Sequence, residues 1–349
     1  MLTKLINQAQ YDLLNFPGRG FGQKVKMVGK KDQIGFPQAV LAKGMMDYYK
    51  IHMNSEEAKE ILEVVKRYYD RWMFRGMKIK HIDDAYAGMA LLDLFQITKK
   101  EKYKEAADRL VEFLKEAPKD ETGTFIYRPE ENRGYVYAEG IGMTCPFLVK
   151  YGSLFGDYDA INIAVTQINN YMQFGMDEKT LLPYHGYDSS NGMKMGIIGW
   201  GNATGILMIG MSETLHYLNP EYQETEVIRM AYRRLVDKVE AYQMEGGLYH
   251  WCLNAKDGPA DTGASAMILS SIAQAIKDKA LIGIHKSRML RGVEAVKACI
   301  QEDGTLPGAS ILSPGFNLYP IEFDSYPWAL GPAISLLVLN DDEPTPQIQ

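Results

Sequence analysis

SEEAKEILEVVKRYYDRW (residues 55–72) and DAYAGMALLDLF (84–95) lie next to each other and differ in kind. The first has one apolar face and one charged face, the pattern of a helix that packs on a core and meets solvent. The second is almost uncharged and apolar all round, as a helix buried on every side must be. The same two kinds alternate along the chain. Charged segments recur at KKEKYKEAADRLVEFLKE (99–116) and EYQETEVIRMAYRRLVDKVEAY (221–242). Buried ones recur at EGIGMTCPFLVKYG (139–152), WGNATGILMIGMSETL (200–215), DTGASAMILSSIAQAI (261–276) and SYPWALGPAISLLVL (325–339). Periodicity places helices at roughly 3–15, 38–52, 55–74, 84–97, 100–117, 138–153, 158–175, 200–217, 220–242, 262–277, 284–301 and 326–340. Asn54 with Glu57 reads as a capping box, and Pro37 and Pro327 fall at first-turn positions. Pairing a buried helix with a charged one, about six times over, describes an all-α toroid of inner and outer helices. Segment 3–15 would close the ring against the last inner helix. An open solenoid is the alternative; one domain over 1–349 is expected.

Bulk properties narrow the function. The 349 residues carry a net charge of −6 and no long Lys/Arg run, which argues against nucleic acid as a partner. No stretch approaches the ~18 apolar residues of a membrane span, and no signal-peptide h-region follows the first lysine. Cys145, Cys252 and Cys299 are scattered and odd in number, which fits buried thiols in a reducing compartment. A cytoplasmic protein, monomer or homodimer, is the expectation. No Walker pattern or HExxH occurs, and no metal or other cofactor is expected.

The connections are unequal. Turns after the buried helices are short (KIHMN, QITKK, SLFGD, YLNP). Those leading into them are long: 28–36, 120–138, 177–198, 244–260 and 301–324. In a ring these loops share one face, at the N-termini of the inner helices. Long ordered loops are usually functional. Their Tyr, Trp, His, Asp and Glu suit a sugar, whose apolar face stacks on aromatics while its hydroxyls need convergent polar groups.

Four constellations stand out on that face. HIDDAYAG (81–88) offers His81, Asp83 and Asp84; Asp83 reads equally as a helix cap, and Asp84 would lie in the first turn beside the pocket. YVYAEGIGM (135–143) offers Glu139, a candidate acid/base because partial burial raises a carboxyl's pKa. LLPYHGYDSS (181–190) offers Tyr184, His185, Tyr187 and Asp188, and IIGWGNATG (197–205) offers Trp200 and Asn202. Gln38, His250, Trp251, Asp261 and Trp328 are weaker, with packing or capping as the competing account of each.

IDDAYAGMALLDLF, YAEGIGMTCPFLVKYG, LPYHGYD, GWGNATG, DTGASAMI and YPWALG, in that order over about residues 30–340, resemble glycoside hydrolases of families 88 and 105, the unsaturated glucuronyl and rhamnogalacturonyl hydrolases. The resemblance implies an (α/α)6 barrel and a cofactor-free reaction. An acidic residue protonates C4 of a 4,5-unsaturated uronyl end, water adds at C5, and the hemiketal rearranges to release the remaining oligosaccharide. It gives the catalytic acid's place to Glu139 and that of its partner to Asp84, or Asp83 one residue away. The pocket His falls on His185 and the loop Trp on Trp200. Three positions depart from the family pattern: Glu139 stands for Asp, Asn202 for the Arg that would bind the uronate, and Ile206 for a second Trp. Lys78, Lys80, Arg128 and Lys194 are candidate replacements for that cation. A different sugar end, or oligosaccharide binding without chemistry, are the alternatives.

Overall fold

The computed structural model describes residues 1–15, 34–131 and 133–341. Most of the loop at 28–36 lies outside these residues. Among the described residues twelve α-helices follow the expected pattern. Six of them form the inner ring: α2 (Phe36–His52), α4 (Gly88–Thr98), α6 (Ala138–Phe155), α8 (Gly201–Tyr217), α10 (Thr262–Lys277) and α12 (Pro327–Leu339). Each packs on its neighbours, and α12 packs on α2 to close the circle. Outside them run α1 (Leu2–Asn15), α3 (Glu56–Phe74), α5 (Glu101–Glu116), α7 (Tyr158–Phe174), α9 (Gln223–Glu240) and α11 (Lys286–Cys299). Helix α1 packs on α12, as the sequence predicts.

Closure depends on small residues. A Cβ on Gly44 of α2 would come within 2.3 Å of the Gly331 carbonyl oxygen on α12. Only glycine lets these two backbones meet, and the apolar stripes on either side are buried as a result.

Two boundary expectations need correction. The cap of α3 is Ser55, which accepts from Ala58 N, rather than Asn54. The helix expected from 84 begins instead as a 3₁₀ turn, Ile82–Ala87, and becomes α-helical at Gly88. Pro37 and Pro327 do occupy first-turn positions, where a missing N–H costs nothing.

The long loops add short antiparallel pairings on the face they share. Strands β1 (Tyr135–Tyr137), β2 (Gly186–Asp188) and β3 (Met193–Met195) form one sheet. The pairs β4 (Tyr249–His250) with β5 (Ala260–Asp261), and β6 (Ala309–Ser310) with β7 (Phe323–Asp324), stand beside it. Among the described residues no helix is long and apolar enough to cross a membrane.

Candidate active site

Strand β1 runs straight into α6, so Glu139 sits in the helix's first turn. The pairing of Tyr137 with Gly186 and a bond from Ala138 N to the His185 carbonyl (3.0 Å) bring β2 across that helix start. His185 is thereby held against Glu139, and its Nε2 lies 2.9 Å from Glu139 Oε1. On the other side of the ring, His185 Nδ1 lies 2.7 Å from the Tyr319 hydroxyl. The imidazole is 1% exposed and meets Trp200 edge-on at 4.6 Å.

Asp83 comes from the neighbouring inner helix, whose 3₁₀ start packs on α6. The Tyr127 hydroxyl donates to its Oδ2. Burial pushes its carboxyl up to about 8, against the Tyr127 bond, and the nearby carboxylates of Glu139 and Asp84 add to the effect. A carboxyl in that range keeps its proton near neutral pH.

Asp83 Oδ1 and Glu139 Oε2 are both buried and have no protein partner, and so are Trp200 Nε1 and Trp251 Nε1. Buried polar atoms are nearly always bonded, so four such atoms on residues at the starts of inner helices or in the loops before them make this face the candidate ligand site. Two carboxyl oxygens and two N–H donors among aromatic rings match the needs of a pyranose.

Next to the pair, and sharing the wall formed by Tyr137, lies a cleft of about 250 Å³ lined by Arg128, Tyr135, Tyr137, Met195, Phe316 and Leu318. Tyr137 stacks on Phe316 at 4.0 Å and leans on Tyr127 and His185. The Arg128 guanidinium lies 5.6 Å from the Tyr137 ring centroid and 3.2 Å from Glu131, and its charge reaches Asp83.

The expected site residues thus separate into two groups. Asp83, Glu139, His185 and Trp200 come together. Asp84 does not join them: its Oδ2 accepts from Lys80 N (2.8 Å) and His81 N (3.2 Å), so it is the cap, and Asp83 faces Glu139. The carboxyl of Asp84 is also raised, by burial against those two backbone bonds. Tyr187 packs on Tyr171 and Phe174 of α7. Tyr184 stands at the rim, with its hydroxyl 3.5 Å from Asp177 and Lys194 over its ring. Trp328 stacks on Tyr326 at 4.2 Å and donates to the Ser310 carbonyl, a packing role. Gln38 is half-buried in the first turn of α2. Asn202 is fully buried and donates to Ser310 Oγ, which in turn donates to Asp261, the cap of α10. Ile206 packs on Gly142 where α8 crosses α6. Of the four candidate cations, Arg128 lines the cleft; Lys78 and Lys80 are exposed, and Lys194 sits by Glu178. Tyr127, Phe316 and Tyr319 escaped the sequence reading because irregular loops deliver them. Among the described residues no cluster of three or more His, Cys, Asp or Glu side chains could hold a metal ion.

Comparison with known proteins agrees with this architecture. The model of Glycosyl Hydrolase Family 88 matches residues 18–338. The unsaturated rhamnogalacturonyl hydrolase YesR of Bacillus subtilis is 23% identical over 281 residues, covering 79% of this chain and 78% of its own. A possible member of glycoside hydrolase family 105 from Salmonella enterica serovar Paratyphi A superposes with a TM-score of 0.85 at 18% identity, over 97% of this chain and 93% of that one. The unsaturated glucuronyl hydrolase of Bacillus sp. GL1, responsible for the degradation of glycosaminoglycan, gives 0.75 at 16% identity, over 97% and 95%. These likenesses carry the fold: an (α/α)6 barrel.

Proposed function

The chain belongs to glycosyl hydrolase family 88, and from that premise we propose that it removes a 4,5-unsaturated uronyl residue from the non-reducing end of a short oligosaccharide. One observation carries the reading: Asp83, buried, and Glu139, partly buried, at the starts of adjacent inner helices each keep one buried oxygen without a protein partner. The sugar's C4=C5 bond lies between them.

Hydration of that bond needs one proton given to C4 and one taken from the water that attacks C5. Near neutral pH Asp83 holds a proton, because burial raises its carboxyl to about 8. With Tyr127 donating to Oδ2, that proton belongs on Oδ1, the oxygen without a partner. Glu139 is the group toward C4, and His185 fixes its Oε1 so that Oε2 faces the substrate. The proton passes from Asp83 by way of Glu139 to C4, the attacking water gives its own proton to Asp83, and the hydroxide joins C5, so both carboxyls end as they began. The C5 hemiketal then opens, and the anomeric carbon releases the leaving sugar. Trp200 and Trp251 offer N–H donors to the ring. Arg128, beside Tyr137 in the cleft, replaces the missing family Arg as partner of the uronate carboxylate, for which its planar fork is suited.

A second reading, an uncharged sugar end, draws support from Arg128 being paired already with Glu131. The test covers both. Unsaturated di- and trisaccharides from pectin, rhamnogalacturonan and glycosaminoglycan are incubated with the protein, and loss of the ultraviolet absorbance of the conjugated C=C–carboxylate is followed. Loss that disappears in Glu139→Gln is the expected result. A flat trace over the whole panel with folded protein rejects the proposal and leaves the uncharged end or a binding role.

A further inference from the structure

Tyr319 lies in the loop before α12, far in sequence from every residue of the pair, yet its hydroxyl ends 2.7 Å from His185 Nδ1. The same hydroxyl accepts from Ile197 N at 3.1 Å. With that N–H pointing at the oxygen, the phenolic proton is free to go to His185. A phenol that donates to Nδ1 forces the imidazole proton onto Nε2, where it meets Glu139 Oε1 at 2.9 Å. With the phenol as donor, the chain Ile197 N–H, Tyr319 O–H, His185 Nε2–H and Glu139 runs in one direction.

The loop geometry is made to admit this hydroxyl. Gly196 has a φ of +80°, and a Cβ there would lie 2.2 Å from the Tyr319 oxygen and 2.7 Å from His185 Cβ. A side chain at 196 therefore forces the Tyr319 hydroxyl or His185 to move, and strains the backbone as well. The ring of Tyr319 is held independently, edge-on to Trp200 at 5.2 Å and to Trp251 at 6.4 Å. Removing the oxygen alone leaves those contacts in place.

We propose that Tyr319 is a positioning residue that fixes the tautomer of His185, and through it the orientation of the Glu139 carboxyl. This rests on the function proposed above for its consequence in turnover, and on geometry alone for the tautomer. Without the phenol, Nδ1 loses its donor and the imidazole can turn its proton away from Glu139. The carboxyl then has no fixed Oε1, and Oε2 is no longer aimed at the substrate.

The test is Tyr319→Phe, with two readouts. Long-range ¹H–¹⁵N spectra of protein labelled at histidine nitrogen show which ring nitrogen of His185 carries the proton. The expected result is the Nε2–H form in the parent and a mixture in the variant. On an unsaturated oligosaccharide, kcat falls about tenfold to a hundredfold while KM changes little, since a wrong tautomer damages chemistry and not binding. Gly196→Ala, which displaces the hydroxyl without deleting it, produces the same spectral change. Identical His185 spectra in parent and Tyr319→Phe overturn the proposal whatever the activities. A loss confined to KM overturns it too. If the parent is inactive on every unsaturated substrate, the proposed function fails, and the spectra still decide the role of Tyr319.

Discussion

The inner helices carry ionisable groups at both ends, and the two ends treat them in opposite ways. At the N-terminal face, Asp83 and Glu139 each leave an oxygen without a partner, and burial drives Asp83 up to about 8. Toward the C-terminal ends, Lys43, Asp47 and Lys50 of α2 meet Asp93 of α4, Lys150 of α6 and Glu213 of α8 in a buried network. Lys43 lies 2.8 Å from both Asp47 and Glu213, and Ser335 of α12 donates to Asp47. Burial would raise Asp47 and Asp93 as well. The ammonium groups of Lys43, Lys50 and Lys150 overcome it and hold both carboxyls below their usual range. Residue type and burial are alike at the two ends. Partnership is what differs, and under the proposed function it separates a reactive carboxyl from a structural one.

The sharpest way to break this comparison is to remove one carboxyl from each end. Glu139→Gln and Asp83→Asn should each cost at least ~10³-fold in kcat/KM, measured by loss of the unsaturated chromophore, while the fold is kept. The surviving pH profile adds a sign. Activity needs the proton on the pair, so it should fall as pH rises through about 8, and that limb should be absent from whatever residual activity Asp83→Asn retains.

Asp93→Ala should behave in the reverse manner. It strands Lys150, whose side chain is 1% exposed, without a carboxylate, at a cost of about 3–5 kcal/mol in stability. Urea unfolding reads this cost, and kcat at a temperature where the variant is folded should match the parent. If Asp93→Ala instead abolished turnover in folded protein, the network would be part of the site and the distinction between the ends would collapse.

At the mouth of the site the expected effect is smaller. Arg128→Ala should raise KM by about tenfold to a hundredfold on a uronate-ended substrate, with kcat changed less, and Arg128→Lys should recover little because an ammonium cannot form the two-pronged bond. Equal KM values in parent and Arg128→Ala would favour the uncharged sugar end.

How much of this was legible beforehand follows from what each feature depends on. The ring was legible because helices buried on all sides and helices with one charged face have different compositions, and the chain alternates them. The face that carries the candidate site was legible from loop length alone. Glu139, His185 and Trp200 were legible as polar or aromatic residues at the starts of buried helices or in the loops before them. The choice between Asp83 and Asp84 was not. In a 3₁₀ turn neighbours point about 120° apart, and either of two aspartates can take the cap, so the sequence leaves a tie that only the turn's geometry breaks. Tyr127 and Tyr319 were hidden for a different reason: they arrive on irregular loops, where no period says which side chain points inward.

The smallest effect tests the comparison most directly, because it asks for a sign. Asp83 is raised above the ~3.9 of an unfolded aspartate. The folded protein therefore keeps a proton that the unfolded chain releases, and stability falls as pH rises from about 4 to about 8. Asp83→Asn has no proton to lose. Its Tm should equal the parent's near pH 4 and exceed it by a few degrees above pH 8. Asp93 is held below its unfolded value, so its contribution is present above that value and lost as pH falls. Asp93→Asn should therefore be less stable than the parent at neutral pH, and the gap should narrow toward acid. Two isosteric substitutions toward opposite ends of one inner segment should thus give difference curves of opposite slope. Parallel curves, recorded by calorimetry over the same buffers, would mean that partnership does not divide the two ends, and the assignment of Asp83 as the proton-holding member of the pair would fall with it.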